Sequence, residues 1–204
     1  MMKILHIETG LFEGQSVSRQ LSQKIVDRLV AKHPDAQVIT RDLIKTPIAH
    51  LDAEILLAGG TDEAQRTERQ RIESALTETL LEELFAADVI VLGAPMYNFS
   101  VPSQLKAWID RIAQAGRTFQ YTEAGPEGLV TGKRVYLASA RGGIYSEGAA
   151  AAMEHQESFL TTVFGFLGMT DVTIVRAEGV NLGEEARTAS IAKASDTINS
   201  VVAA

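Results

Sequence analysis

Short apolar runs alternate along the chain with longer stretches in which apolar residues recur every three or four positions. Lys3 to Ile7 is a short apolar run, read as a first strand. From Ser16 the period changes: Leu21, Ile25 and Leu29, with Val26 and Val30 beside them, form one face of a helix that ends near His33-Pro34. Ala36 to Leu43 predicts a second strand, and residues 44 to 64, with Pro47 and Gly59-Gly60, are irregular. A long helix is predicted over about Arg66 to Ala86, where Ile72, Leu76, Leu80 and Leu84 fall four apart. "DVIVLGAP" (88–95) is nearly continuous apolar sequence, as suits a central parallel strand covered on both faces. Leu105, Trp108, Ile109 and Ile112 mark the next helix, and residues 117 to 132 form a loop-rich excursion. "KRVYLASA" (133–140) is a further strand, Ala151 to Leu167 a helix, "DVTIVRAEGV" (171–180) the last strand and Glu184 to Ala203 a closing helix.

Five strands alternating with helices imply an α/β fold with a parallel sheet. No repeat, low-complexity tract or linker divides the sequence, so residues 1–204 are expected to form one domain. In an open parallel sheet the ligand lies beyond the carboxyl ends of the strands. Three loops therefore matter: Glu8 to Ser18, Ala94 to Pro102 and Ala138 to Tyr145.

Composition narrows the function. The 204 residues are 46% hydrophobic and 22% charged, which suits a globular chain with a substantial core. A net charge of -7 and the lack of any basic run argue against nucleic acid or anionic membrane as partners. There are no cysteines, so disulfides, thiolate catalysis and cysteine-held metals are excluded. No apolar stretch has signal-peptide or membrane-span length, and a cytoplasmic protein is expected. His6, His33, His50 and His155 are scattered, with no metal-binding spacing, and no serine-hydrolase elbow occurs.

The first loop, "ETGLFEGQSVS" (8–18), sets Thr9, Gly10, Gly14, Gln15, Ser16 and Ser18 ahead of a helix, where free N–H groups and small hydroxyls favour an anion such as phosphate. Neither a dinucleotide fingerprint nor a P-loop is present. Ser16 or Ser18 acting simply as an N-cap explains this loop equally well. Glu8 and Glu13 suit a phosphate only if their side chains turn away. In the second loop, Pro95-Met96-Tyr97-Asn98-Phe99 carries two aromatics, more than a strand-to-helix turn requires and enough to meet a flat ring. In the third, Ala140-Arg141-Gly142-Gly143 can bring backbone donors close to a ligand, although Gly-Gly is also a common turn. A phosphate at one end, a flat ring in the middle and donors at the far edge describe FMN.

The chain also resembles the FMN-dependent NADH:azoreductases, or NADH:quinone reductases, of the flavodoxin-like superfamily. "RDL" (41–43), "APMYNF" (94–99), "TEAGPEGLVTGK" (122–133), "RGGI" (141–144), "GFLGMTDV" (165–172) and "AEG" (177–179) carry the resemblance along essentially the whole length. It implies a flavodoxin-like three-layer sandwich with a five-stranded parallel sheet in the order 2-1-3-4-5. By the same resemblance, Gly10, Ser16, Val17 and Ser18 hold the FMN phosphate. Pro95, Met96, Tyr97, Asn98 and Phe99 lie along the ring system, and Ala140, Arg141, Gly142 and Gly143 lie at its pyrimidine end. It further implies a homodimer with sites at the interface, Tyr121 and, more weakly, Phe119 entering the partner's substrate pocket. Serine is usual where this chain has Gly10, so one hydroxyl contact is expected to be lost. The implied activity is ping-pong two-electron transfer from NADH, or NADPH, to quinones and aromatic azo compounds. Arg19 or Arg141 is available in principle for an NADPH 2′-phosphate. The alternatives are a flavodoxin-like one-electron carrier to a protein partner and a redox-inactive phosphate-binding module; the long excursion counts against a carrier.

Overall fold

The computed structural model describes residues 1–203; Ala204, the last residue of the expected domain, lies outside them. The chain runs β1 (Lys3–Glu8), α1 (Val17–Lys32), β2 (Gln37–Asp42), α2 (Ala53–Ala58), α3 (Glu68–Ala86), β3 (Val89–Pro95), α4 (Ser103–Ile112), β4 (Phe119–Thr122), β5 (Gly125–Gly128), β6 (Arg134–Ala140), α5 (Glu157–Leu167), β7 (Asp171–Ala177) and α6 (Glu184–Ala203). β2-β1-β3-β6-β7 form one parallel sheet. The expected order 2-1-3-4-5 is not the order found, because the excursion contributes two strands of its own. The fourth and fifth strands pair antiparallel in a separate hairpin, and the sixth and seventh complete the sheet.

Alternation along the central strands feeds two cores. Leu5, Ile7, Ile90, Leu92, Val135 and Leu137 meet Leu80 and Leu84 of α3, Trp108 of α4 and Phe164 of α5. On the other face Ile4, Val89, Val91, Tyr136 and Ala138 meet Leu21 and Ile25 of α1 and Ile198 of α6. β3 is buried at every position, which is why its sequence is apolar throughout rather than alternating. Thr67 and Gln70 close a reciprocal capping box that starts α3. The helix expected from Ala151 begins only at Glu157, because residues 149–153 form a separate 3₁₀ turn.

The β4–β5 hairpin docks on the end of α5 by backbone contact. Gly168 ends α5 in the left-handed conformation (φ 101°), and a Cβ on Gly128 would lie 2.1 Å from its nitrogen. Val130 N–H donates to Leu167 O at 2.8 Å, and Phe119 packs against Phe166 with ring centroids 4.6 Å apart and planes tilted by 49°. This fixes the base of a hairpin whose outer strand is otherwise exposed.

Candidate functional site

The three loops meet at the carboxyl edge of the sheet. Met96 N–H donates to Ala140 O at 2.8 Å, joining the second loop to the end of β6. Leu11 N–H reaches the Tyr97 hydroxyl at 3.4 Å, joining the first loop to the second, and Thr9 Oγ1 donates to Gly93 O of β3 at 2.7 Å.

At the first loop, Ser16 occupies the N-cap position of α1, yet its side chain makes no cap hydrogen bond. Its hydroxyl lies 3.1 Å from that of Ser18 instead. The Val17, Ser18 and Arg19 N–H groups have no acceptor among the described residues. The simple N-cap reading therefore fails, and the helix start presents unpaired donors, hydroxyls and the positive end of a 16-residue helix. Gly10 packs directly on this turn: a Cβ there would lie 2.2 Å from Ser16 Oγ and 2.8 Å from Ser16 Cβ.

At the second loop, Tyr97 and Ser100 exchange backbone hydrogen bonds of 3.0 and 3.1 Å around Asn98 and Phe99. Both intervening residues are left-handed, with φ of 47° and 70°. Two such residues in a closed turn match the mirror-image hairpin type, where Asn is tolerated and glycine is preferred over phenylalanine. Phe99 nevertheless keeps its ring, half exposed and edge-on to Tyr145 at 6.1 Å. A cleft of about 850 Å³ opens beside this turn, lined in part by Leu11, His50, Met96, Tyr97, Asn98 and Phe159.

At the third loop, the carbonyls of Arg141, Gly142 and Gly143 accept from the N–H groups of Val180, Asn181 and Gly179 at 3.1, 3.1 and 3.0 Å. A trans peptide unit aims its N–H opposite to its carbonyl. The Gly142, Gly143 and Ile144 N–H groups therefore face away from residues 179–181, and none has an acceptor among the described residues. The chemistry of the whole edge fits an anion at α1, a flat ring beside Met96 to Phe99 and a hydrogen-bond-accepting ring edge at Gly142-Gly143.

Comparison with known proteins shows the family. A family model for the flavodoxin-like fold matches residues 2–202. The chain is 55% identical over 202 residues to an FMN-dependent NADH:quinone oxidoreductase of Azospirillum brasilense, covering 98% of this chain and 97% of the relative. The chain belongs to the FMN-dependent NADH:quinone oxidoreductase family. An azoreductase structure from Bacillus anthracis str. Sterne is 31% identical, with a TM-score of 0.86 over 98% of this chain and 100% of that one. An FMN-dependent NADH-azoreductase from Bacillus anthracis str. Ames Ancestor, solved in complex with FMN, is 26% identical with a TM-score of 0.89, covering 100% and 98%.

Within this family frame, the charged residues of the chain take positions that the sequence does not reveal. Arg19 is buried, donating from Nε to Gly10 O at 2.9 Å, from its two terminal nitrogens to Asp42 at 2.9 and 2.8 Å, and to Glu8. Arg141 is also buried, held by Gln156 (3.0 Å), Glu178 (3.1 Å), Glu154 (3.1 Å) and Glu157 (2.8 Å). Both guanidiniums are buried and spent on internal partners, so the structure lends no support to either as a site for an NADPH 2′-phosphate. Glu8 is turned onto Arg19, and Glu13 pairs with Lys45 at 2.9 Å, so each carboxylate of this loop has a cation beside it.

Burial, then the nearby Arg19 charge, pushes His6 down to about 4; its Nε2 lies 3.0 Å from Ser22 Oγ. Burial also raises Glu8 despite its arginine. Asp42 shares that burial, but hydrogen bonds from Arg19 and from the Lys45 and Ile44 N–H groups overcome it and hold the carboxyl low.

The two pocket candidates of the excursion differ. Tyr121 is 75% exposed and meets Phe119 edge-on at 5.6 Å. Phe119 is buried between Tyr121 and Phe166, so it supports the tyrosine rather than facing a ligand. Neither shares a hydrogen bond or ring contact with the three loops among the described residues.

Proposed function

We propose that the protein is an FMN-dependent reductase that takes two electrons from NADH and passes them, by a ping-pong cycle, to quinones and to the azo bond of aromatic azo compounds. The observation that carries this reading is the uncapped start of α1, with unpaired donors at residues 17–19, set on the same edge as the strained aromatic turn. Gly10, Ser16, Val17 and Ser18 would hold the FMN phosphate. Pro95, Met96, Tyr97, Asn98 and Phe99 would flank the isoalloxazine, and Ala140 to Gly143 its pyrimidine edge, Arg141 acting through its backbone.

FMN, when bound, supplies the hydride acceptor and donor; the protein supplies binding, orientation and electrostatics. The Gly142 and Gly143 N–H groups favour negative charge arriving at the ring edge they face. No side chain at the site needs to act as a proton donor, since the cleft is open to solvent. Phe12, Phe99, Ile144 and Tyr121 are exposed apolar side chains. This exposure supports a second copy covering the site and presenting Tyr121 to the acceptor. The chain is read throughout as one flavodoxin-like domain.

The test is an anaerobic visible titration of the FMN-loaded protein with NADH. Bleaching in one two-electron phase, with no long-wavelength absorbance on the way, is expected. A yellow protein that neither NADH nor NADPH bleaches would instead indicate a carrier that receives its electrons from another protein.

A further inference from the structure

We infer that Glu178 is a positioning residue: it clamps both ends of the Gly142–Ile144 donor loop, and its charge holds down the reduction potential of a flavin facing that loop. The inference rests on the FMN reading above.

One carboxylate makes the clamp. Glu178 Oε1 accepts from Arg141 Nη1 at 3.1 Å, before the donor loop, and from Tyr145 N–H at 2.8 Å, after it. Its other oxygen accepts from the Ser146 hydroxyl at 2.5 Å. Glu178 immediately precedes Gly179, Val180 and Asn181, whose N–H groups hold the loop carbonyls and so aim its own donors outward. Arg141 carries the restraint further inward. It bonds Gln156 Oε1, and Gln156 Nε2 donates to Ala94 O at 2.7 Å, near the end of the central strand. The donor loop is thereby referenced to β3 on one side and to β7 on the other. Ser146, Tyr145 N–H and Arg141 together overcome the burial of Glu178 and keep it ionised.

The charge count gives the second half of the inference. Arg141 and Arg176 face Glu154, Glu157 and Glu178, two positive against three negative groups, a net of −1. Arg141 is fully buried and the three carboxylates are largely so; screening by water and salt is weak there. Outward-facing N–H groups favour a reduced, more negative ring, and the residual negative charge behind them opposes it. Geometry and charge therefore act on the potential in opposite directions, and one residue supplies both.

Glu178→Gln keeps the shape and removes the charge, whereas Glu178→Ala removes both. Each variant and the wild type are read by FMN titration of the apoprotein and by the two-electron midpoint potential against reference dyes. For Glu178→Gln the potential is expected to rise, with FMN affinity within about threefold of wild type, under a kcal/mol. For Glu178→Ala, affinity is expected to fall about tenfold or more, as loss of a charged hydrogen-bond anchor implies, without the rise in potential. An unchanged or lowered potential in Glu178→Gln overturns the charge role. Wild-type affinity in Glu178→Ala overturns the clamp; if that variant does not fold, Glu178→Asp, which keeps the charge but is one methylene too short to span Arg141 and Tyr145, takes its place with the same expected loss and the same refuting result. A wild-type protein that takes up no FMN refutes the cofactor reading itself, independently of either variant.

Discussion

The first loop and the aromatic turn hold two parts of the same edge by opposite means. At the first loop the backbone is relaxed and the binding capacity comes from partners withheld: a serine stands at the N-cap without capping, and three N–H groups wait unpaired. Beneath it lies a dense polar floor of Arg19, Glu8, Asp42, His6 and Ser22. At the aromatic turn the backbone bonds are made, but two residues are held at positive φ so that a phenylalanine stands where glycine is preferred. A phosphate needs donors, which a helix start leaves unpaired by default. An aromatic surface needs a side chain in a fixed direction, and here the fixing is done by backbone strain of about 1–2 kcal/mol.

The largest test of the contrast concerns the polar floor. His6 has its folded pKa at about 4 against an ordinary 6.5, so the native state refuses a proton that the unfolded chain accepts. Its contribution is complete above pH 6.5 and is lost as pH falls through about 4, up to about 3 kcal/mol in all. The raised carboxyl of Glu8 acts in the opposite sense, favouring the fold at the acid side. Urea unfolding across pH 5 to 7, above the range in which Asp42 and Glu178 take up protons, should show the decline on acidification, and His6→Gln should flatten it. A decline that persists in His6→Gln would place the titration elsewhere.

Next in size is the strain at the turn. With φ at 70°, Phe99→Gly should be more stable than Phe99→Ala by about 1 kcal/mol, the reverse of their order in a helix. Paired thermal melts measure this directly, and equal stabilities would mean that the turn relaxes once the ring is gone. The smallest effect is at the unused cap. Replacing an N-cap serine ordinarily costs about 0.5–2 kcal/mol, but Ser16→Ala should cost the apoprotein less than about 0.5 while weakening FMN about fivefold. A full capping loss in the apoprotein would show that Ser16 caps the helix in solution.

Much of the frame was legible in hydrophobic period alone. β3 stands out because both its faces are buried, and α1 and α3 because their apolar residues return every turn. The hairpin was not legible: "GPEG" in β5 has no strand propensity and pairs because Gly128 and Gly168 pack backbone to backbone. The short helix Ala53–Ala58 was hidden for a different reason, since six residues give too few turns to establish a period. At the site, the aromatics were visible because they are unusual in connectors, and the glycines and serines because they stand at strand ends, the first group directly ahead of a helix. Arg19, Gln156 and Glu178 were not, because their roles depend on partners as distant in sequence as Asp42, Ala94 and Arg141. The resemblance assigned Arg141 to the cofactor, but only coordinates reveal that its side chain faces inward.

The contact between Gly10 and Ser16 has a consequence for how this sequence can vary. A side chain at position 10 collides with the Ser16 Cβ as well as its hydroxyl, so a new rotamer at 16 does not make room. The two positions share one volume. Any side chain at 10 therefore requires the start of α1 to shift, and the donors at residues 17–19 shift with it. Glycine here is less a missing hydroxyl than the condition for the place α1 begins.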